Sequence, residues 1–99
     1  GRAGDNLELN DGSVVGCIDH AFKGVPKLEI AQVHQYGVGK PIEIKLVVAP
    51  EFGQQEENQL KSNFIRMVGE AEQLMFTYCN REDLTYSANQ KYKLIIKHK

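Results

Sequence analysis

Several kinds of side chain in this sequence could do chemistry, and their spacing limits what each could do. Lys91, Lys93 and Lys97 are interleaved with Tyr92, Leu94 and Ile96 near the C-terminus. A lysine ammonium is a compact charge on a flexible stem, able to offset negative charge on a carboxylate or phosphate. The same pattern equally describes solvated lysines on the outer face of a strand. His20, His34 and His98 show no HExxH-type spacing that would suggest a zinc site. His20 reads as a polar residue on a short helix. His34 falls on the strand face opposite Val33, which places it at a sheet surface. Ser13, Ser62 and Ser87 lack a GxSxG elbow. Gly37-Val38-Gly39-Lys40 resembles a phosphate loop in composition. It lacks the GxxxxGK[ST] frame and leads into a strand, so it reads as a turn. Glu51, Glu56 and Glu57 gather where a helix begins, and the helix dipole accounts for them there.

The elements that would position these groups follow from periodicity. Leu7 and Leu9, then Asp11-Gly12, then Val14-Val15 spell a β-hairpin, since Asp-Gly between short apolar alternations is a strong hairpin signal. Ile18, Ala21 and Phe22 have helical spacing within Cys17 to Gly24, and Gly24 and Pro26 close that segment. Leu28 to Tyr36 is β-rich. Ile42, Ile44, Leu46 and Val48 alternate with Glu43 and Lys45, so Ile42 to Val48 is a half-buried strand. Leu60, Phe64, Met67 and Val68 shift the period to helical between Gln54 and Val68, and Gly69 is a stop. Leu74, Phe76 and Tyr78 alternate as a strand. Asn80 to Gln90 is a polar loop, and Tyr92, Leu94 and Ile96 mark a last strand with the lysines facing away. The expected fold is α+β: a small, mostly antiparallel sheet with two helices packed on one face, preceded by a short β-hairpin.

Composition narrows the class further. The chain has 99 residues, the size of one small domain. A net charge of −1 gives no electrostatic footprint for nucleic acid or for an anionic membrane surface. No apolar run approaches the roughly 20 residues that span a bilayer. Cys17 and Cys79 are far apart with no CxxC, and read as two free, partly buried thiols in a reducing compartment, the cytoplasm. The polar, Gly-rich start reads as the beginning of a fragment of a longer chain.

Three stretches carry a resemblance to a known family. Gly1-Arg2-Ala3-Gly4-Asp5, followed by Leu7, Leu9, Asp11-Gly12 and Val15, resembles the GRxxD…DG…V junction segment of adenylate-forming enzymes. Ile18-Asp19-His20-Ala21-Phe22-Lys23-Gly24-Val25, then Ile30 to Val33, is similar to the phenylacetate–coenzyme A ligase branch and its capsular-polysaccharide-biosynthesis relatives. Leu84 to Lys93 is similar to the family's closing motif, a Thr-containing loop, then Gly-Lys, then a basic strand. Two positions depart from the pattern: Gly4 stands where the hinge Asp or Lys is usual, and Gln90 where Gly precedes the lysine.

The resemblance implies residues 1–99 to be the C-terminal lid domain of a longer enzyme. Such an enzyme uses ATP and Mg²⁺ to adenylate a small carboxylic acid and then passes the acyl group to coenzyme A. It implies an N-terminal adenylation domain of the same chain as the partner, Lys91 as the adenylation lysine, Arg2 and Asp5 at the nucleotide, and Gly4 as the hinge. Two other readings remain open at this point. One is a stand-alone α+β module binding a small molecule or a protein. The other is a degenerate, non-catalytic adenylation relative.

Overall fold

The computed structural model describes residues 6–16, 18–37, 39–70, 72–86 and 94–98. Arg2, Gly4, Asp5, Cys17 and Lys91 lie outside the described residues.

The first strands, β1 (Leu7–Glu8) and β2 (Val14–Val15), form an antiparallel hairpin. Its turn is built by the residues the sequence marks. Gly12 has φ +87°, a conformation that a Cβ disfavours, and its N–H donates to the Leu9 carbonyl at 3.0 Å. The Asp11 carboxylate accepts from the Ser13 N–H at 2.9 Å, and that pairing with Ser13 holds it below its ordinary pKa.

The first expected helix is a single 3-10 turn, Ile18–Ala21. Gly24, at φ +79°, and Pro26 leave too little chain for an α-helix to propagate. The turn is held from outside: Asn63 donates to the Ala21 carbonyl at 3.0 Å and Gln59 to the Gly24 carbonyl at 3.2 Å. Both amides project from α1 (Gln54–Val68), whose bounds match the helical period. At its start the Glu56 carboxylate accepts from the Gly53 N–H at 2.7 Å. At its end Gly69, φ +89°, donates to the Ile65 carbonyl at 2.7 Å.

Strands β3 (Leu28–Gln35) and β4 (Ile42–Val48) pair antiparallel, with Val33 opposite Ile44. Their connection contains Gly37 and Lys40, joined by an N–H to carbonyl bond of 3.2 Å, so this segment is the expected turn. Strands β5 (Leu74–Tyr78) and β6 (Ile95–Lys97) flank this pair, giving the order β5-β4-β3-β6.

The α+β class and the leading hairpin are as expected; besides the shortened first helix, two details of the sheet differ. Both flanking strands run parallel to their neighbours, so the sheet is mixed around one antiparallel pair. A parallel pairing joins residues far apart in sequence, which local patterns do not encode. The phase of β6 also differs: Ile95 aligns with Val33 and is buried, while Ile96 aligns with His34 on the other face. Leu94-Ile95-Ile96 is a run without alternation, so it carries no phase of its own.

One face of the sheet, through Val33, Ile42, Ile44 and Leu46, packs on Leu60, Phe64 and Val68 of α1. Phe64 is central, with the Phe22 and Phe76 rings set edge-to-face at centroid distances of 5.2 and 6.4 Å. Phe64→Ala is expected to cost about 3–5 kcal/mol in urea unfolding. Val14→Thr, at an exposed hairpin position, should stay within about 0.5 kcal/mol.

Candidate functional site: two glutamine clamps and a polar sheet face

β3 carries polar residues that its neighbours bury. Gln32, His34 and Gln35 are all buried, at 0%, 1% and 5% exposure. Burying such groups is unfavourable unless each polar atom finds a partner. Among the described residues no buried side-chain nitrogen or oxygen lacks one. His34 was expected at a sheet surface; it does lie opposite Val33, but it is covered by His98, Tyr36 and the segment around Thr85.

The two glutamines do the same job on opposite faces. Gln35 donates from Nε2 to the Glu8 carbonyl at 2.5 Å, and its Oε1 accepts from the Glu8 N–H at 3.1 Å. Gln32 donates from Nε2 to the Thr85 carbonyl at 2.7 Å, and its Oε1 accepts from the Thr85 N–H at 2.8 Å. Each carboxamide therefore pairs with both polar groups of one distant residue, as a neighbouring strand would. A further ion pair, Lys97 to Glu8 at 3.6 Å, lies beside the Gln35 clamp.

These clamps hold residues of the first and last of the three stretches that carry the resemblance. Glu8 follows Gly1 to Asp5 by three residues. Thr85 lies at the front of the Leu84 to Lys93 motif, where Leu84 is buried and the Tyr86 hydroxyl donates to the Arg81 carbonyl at 2.9 Å. Past the motif, the Leu94 carbonyl accepts from the Val33 N–H at 2.7 Å. The residues on either side of Lys91 are thus tied to adjacent positions of β3. Lys91 itself, like Arg2, Asp5 and Gly4, is outside the described residues.

The Gln32 clamp also fixes a tautomer. Thr85 presents a donor and an acceptor, so the Gln32 Oε1 must be the accepting end. His34 Nε2 meets that same oxygen at 2.9 Å and so carries a hydrogen. His34 Nδ1 is then bare in the neutral ring, and His98 Nε2, 2.8 Å away, must donate to it. The two imidazoles lie within 21° of parallel with centroids 5.1 Å apart. With nitrogens at 2.8 Å, that separation means edge-to-edge contact in one plane, with no face-to-face stacking. Tyr36 does stack on His98, at 4.5 Å and 14°.

Beside this chain, Glu43 accepts from the Tyr36 hydroxyl at 2.5 Å and the Thr77 hydroxyl at 2.9 Å. The bond to Tyr36 lowers the Glu43 pKa and, with burial, pushes the tyrosine up to about 12. Burial of His34, then Lys45 and His98, hold its ring below the ordinary 6.5, with Glu43 opposing them. Cys79 is a free thiol whose pKa burial raises, so it is not a poised thiolate. His20 is exposed on its 3-10 turn. Among the described residues no three His, Cys, Asp or Glu groups converge in a way that could hold a metal ion, and no helix is long and apolar enough to cross a membrane.

The polar face is thus a satisfied hydrogen-bond chain, Thr85–Gln32–His34–His98. Nothing in the sequence marked the glutamines as clamps. The available signal was their spacing of three along a strand, which puts them on opposite faces. Comparison with protein-family models and with curated proteins returns no match.

Gln32→Leu keeps the volume and removes both bonds to Thr85 and the partner of His34 Nε2. Each group left buried without a partner costs about 1–3 kcal/mol, so the variant should lose at least that much stability in urea. The Thr85 amide should also lose its protection from hydrogen exchange. An unchanged Thr85 amide would remove the clamp.

Proposed function

We propose that this chain is the C-terminal lid domain of an AMP-forming acyl–coenzyme A ligase of the phenylacetate–coenzyme A ligase type. The observation that carries this reading is the convergence on β3 of residues from the first and last of the three resembling stretches. The residues after the junction motif are held by Gln35, and the closing motif is bounded by bonds to Gln32 and Val33. A domain that rotates between two half-reactions has to carry both segments as one body, and anchorage to a common strand does this.

In this reading the chain's partner is the N-terminal adenylation domain of the same protein, in the cytoplasm. That domain holds ATP, Mg²⁺ and the small carboxylic acid, and coenzyme A is the acyl acceptor. Lys91 is the residue brought to the reacting centre. Its ammonium would offset negative charge that grows between the carboxylate oxygen and the α-phosphate during adenylation. Arg2 and Asp5 would meet the nucleotide from the junction side. Gly4, free to take either sign of φ, would be the pivot. Closure would keep water from a reactive mixed anhydride.

Two measurements test the reading. The 99-residue chain, incubated with ATP, Mg²⁺ and a panel of carboxylic acids, should show no pyrophosphate exchange, because the nucleotide site belongs to the partner domain. Turnover by this chain alone would overturn the assignment. In the whole enzyme, Lys91→Ala should slow adenylation by about 10²–10³, as deletion of a positioned charge-stabilising donor does elsewhere. Transfer to coenzyme A from ready-made acyl-adenylate should survive, because it uses the other lid pose. Lys93→Ala is the control. Equal adenylation rates for Lys91→Ala and wild type would remove the catalytic role.

A further inference from the structure

The His34–His98 contact is the solvent end of the chain that begins at Thr85, and it closes on a short strand. β6 pairs with β3 over Val33↔Ile95, His34↔Ile96 and Gln35↔Lys97 only. Beyond that ladder the His98 N–H donates to the Gln35 carbonyl at 2.8 Å, and before it the Val33 N–H donates to Leu94. A strand this short, at a sheet edge, depends on side-chain contacts to stay paired.

We propose that His34 and His98 form a proton-operated latch on β6, closed while the pair carries no added proton or one, and open once it carries two. The tautomers dictate the count. With no added proton, His34 has hydrogen on Nε2 and His98 donates from Nε2. With one proton added, a single hydrogen still lies between His34 Nδ1 and His98 Nε2, and the bond between the rings becomes charge-assisted and stronger. The second proton has one place left, Nδ1 of His34. That nitrogen would then point a hydrogen at the Nε2–H of His98, and two donors between two like charges cannot share 2.8 Å.

The surroundings favour this order of events. Burial and the Lys45 ammonium of β4 oppose charge on His34. The Glu43 carboxylate of β4 favours it, but both of its oxygens are engaged by Tyr36 and Thr77. Just past β3, Tyr36 stacks on His98, and as a phenol held up to about 12 it stays neutral through the whole range. The Thr85 segment contributes only backbone groups at Gln32. The sign follows. Because the folded pKa of His34 is depressed, below 6.5 the opened chain takes up a proton that the closed latch refuses. The closed form is therefore favoured above that pH and loses ground as pH falls through the window beneath it.

The latch stands without the lid reading. Only its consequence rests on that reading: opening β6 would loosen the Leu94 anchor and, with it, the C-terminal support of the segment carrying Lys91. The test therefore uses no enzymatic readout. Amide hydrogen exchange of the 99-residue chain is followed from about pH 7 to about pH 5, corrected for the intrinsic rate, over the range where histidine titrates. Protection at the Val33 and position-98 amides should fall about tenfold or more, as a local opening would allow. The Ile42 and Cys79 amides, which donate to the Gln73 and Leu46 carbonyls at the other edge, should not change. The Thr85 amide should also keep its protection, because His34 retains its Nε2–H in every state. His98→Gln should abolish the pH dependence, since a carboxamide can present either its NH₂ or its oxygen to Nδ1. The latch is overturned by unchanged protection at Val33 and position 98, by equal loss at Ile42 and Cys79, by loss at Thr85, or by wild-type pH dependence in His98→Gln.

Discussion

The constraint on which this structure depends is that β3 buries two glutamines on opposite faces and must satisfy every atom of both. A buried carboxamide with one free end would be costly. A complete partner for it is a residue presenting both a backbone N–H and a carbonyl, and Glu8 and Thr85 are those partners. Once these are fixed, much else follows. The hairpin must dock on the helix side of β3. The chain after the 3-10 turn Arg81–Asp83 must cross the other face. Leu94 can then return beside Val33 and start β6 in a parallel direction.

The two faces of the sheet are consequently covered by different chemistry. α1 and the turn Ile18–Ala21 cover one with apolar side chains, through Leu60, Phe64, Ile18 and Ala21. The other is closed over β3 by His98, Tyr36 and the Thr85 segment, and stays more open over β5, where Met75 is 46% exposed. Hydrogen-bonded polar groups exclude water from Gln32 and His34 as completely as an apolar layer would. They also fix orientation, since each donor must find its acceptor.

How much of this was legible follows from which interactions are local. The bounds of α1 could be read because Leu60, Phe64 and Val68 repeat at helical spacing and Gly69 ends it. The hairpin could be read because Asp11-Gly12 chooses its own turn. β4 could be read because Glu43 and Lys45 interrupt its apolar face. β3 hid its role: from Ala31 to Gln35 every residue is buried, yet Gln32, His34 and Gln35 look like surface residues until their distant partners are known. The same non-local dependence hid the parallel pairings and the phase of β6. The candidate site divides in the same way. Lys91, Arg2, Gly4 and Asp5 were reached through a resemblance, whereas the clamps and the histidine pair are visible only once residues 27, 53 and 64 positions apart have met.

The clamps also bear on how a small domain could serve two half-reactions. A lid that presents different faces in two poses gains nothing if its motif segments shift independently while it turns. Here the chain beyond the N-terminal motif and both flanks of the C-terminal motif attach to one strand, and that strand lies in the middle of the sheet, paired on both sides. Deforming β3 would break its ladder with β4, the longest pairing in the sheet. Rotation about Gly4 would leave that ladder intact. On the proposed lid reading the pivot would be Gly4, while the relation between the two anchored segments is held by β3.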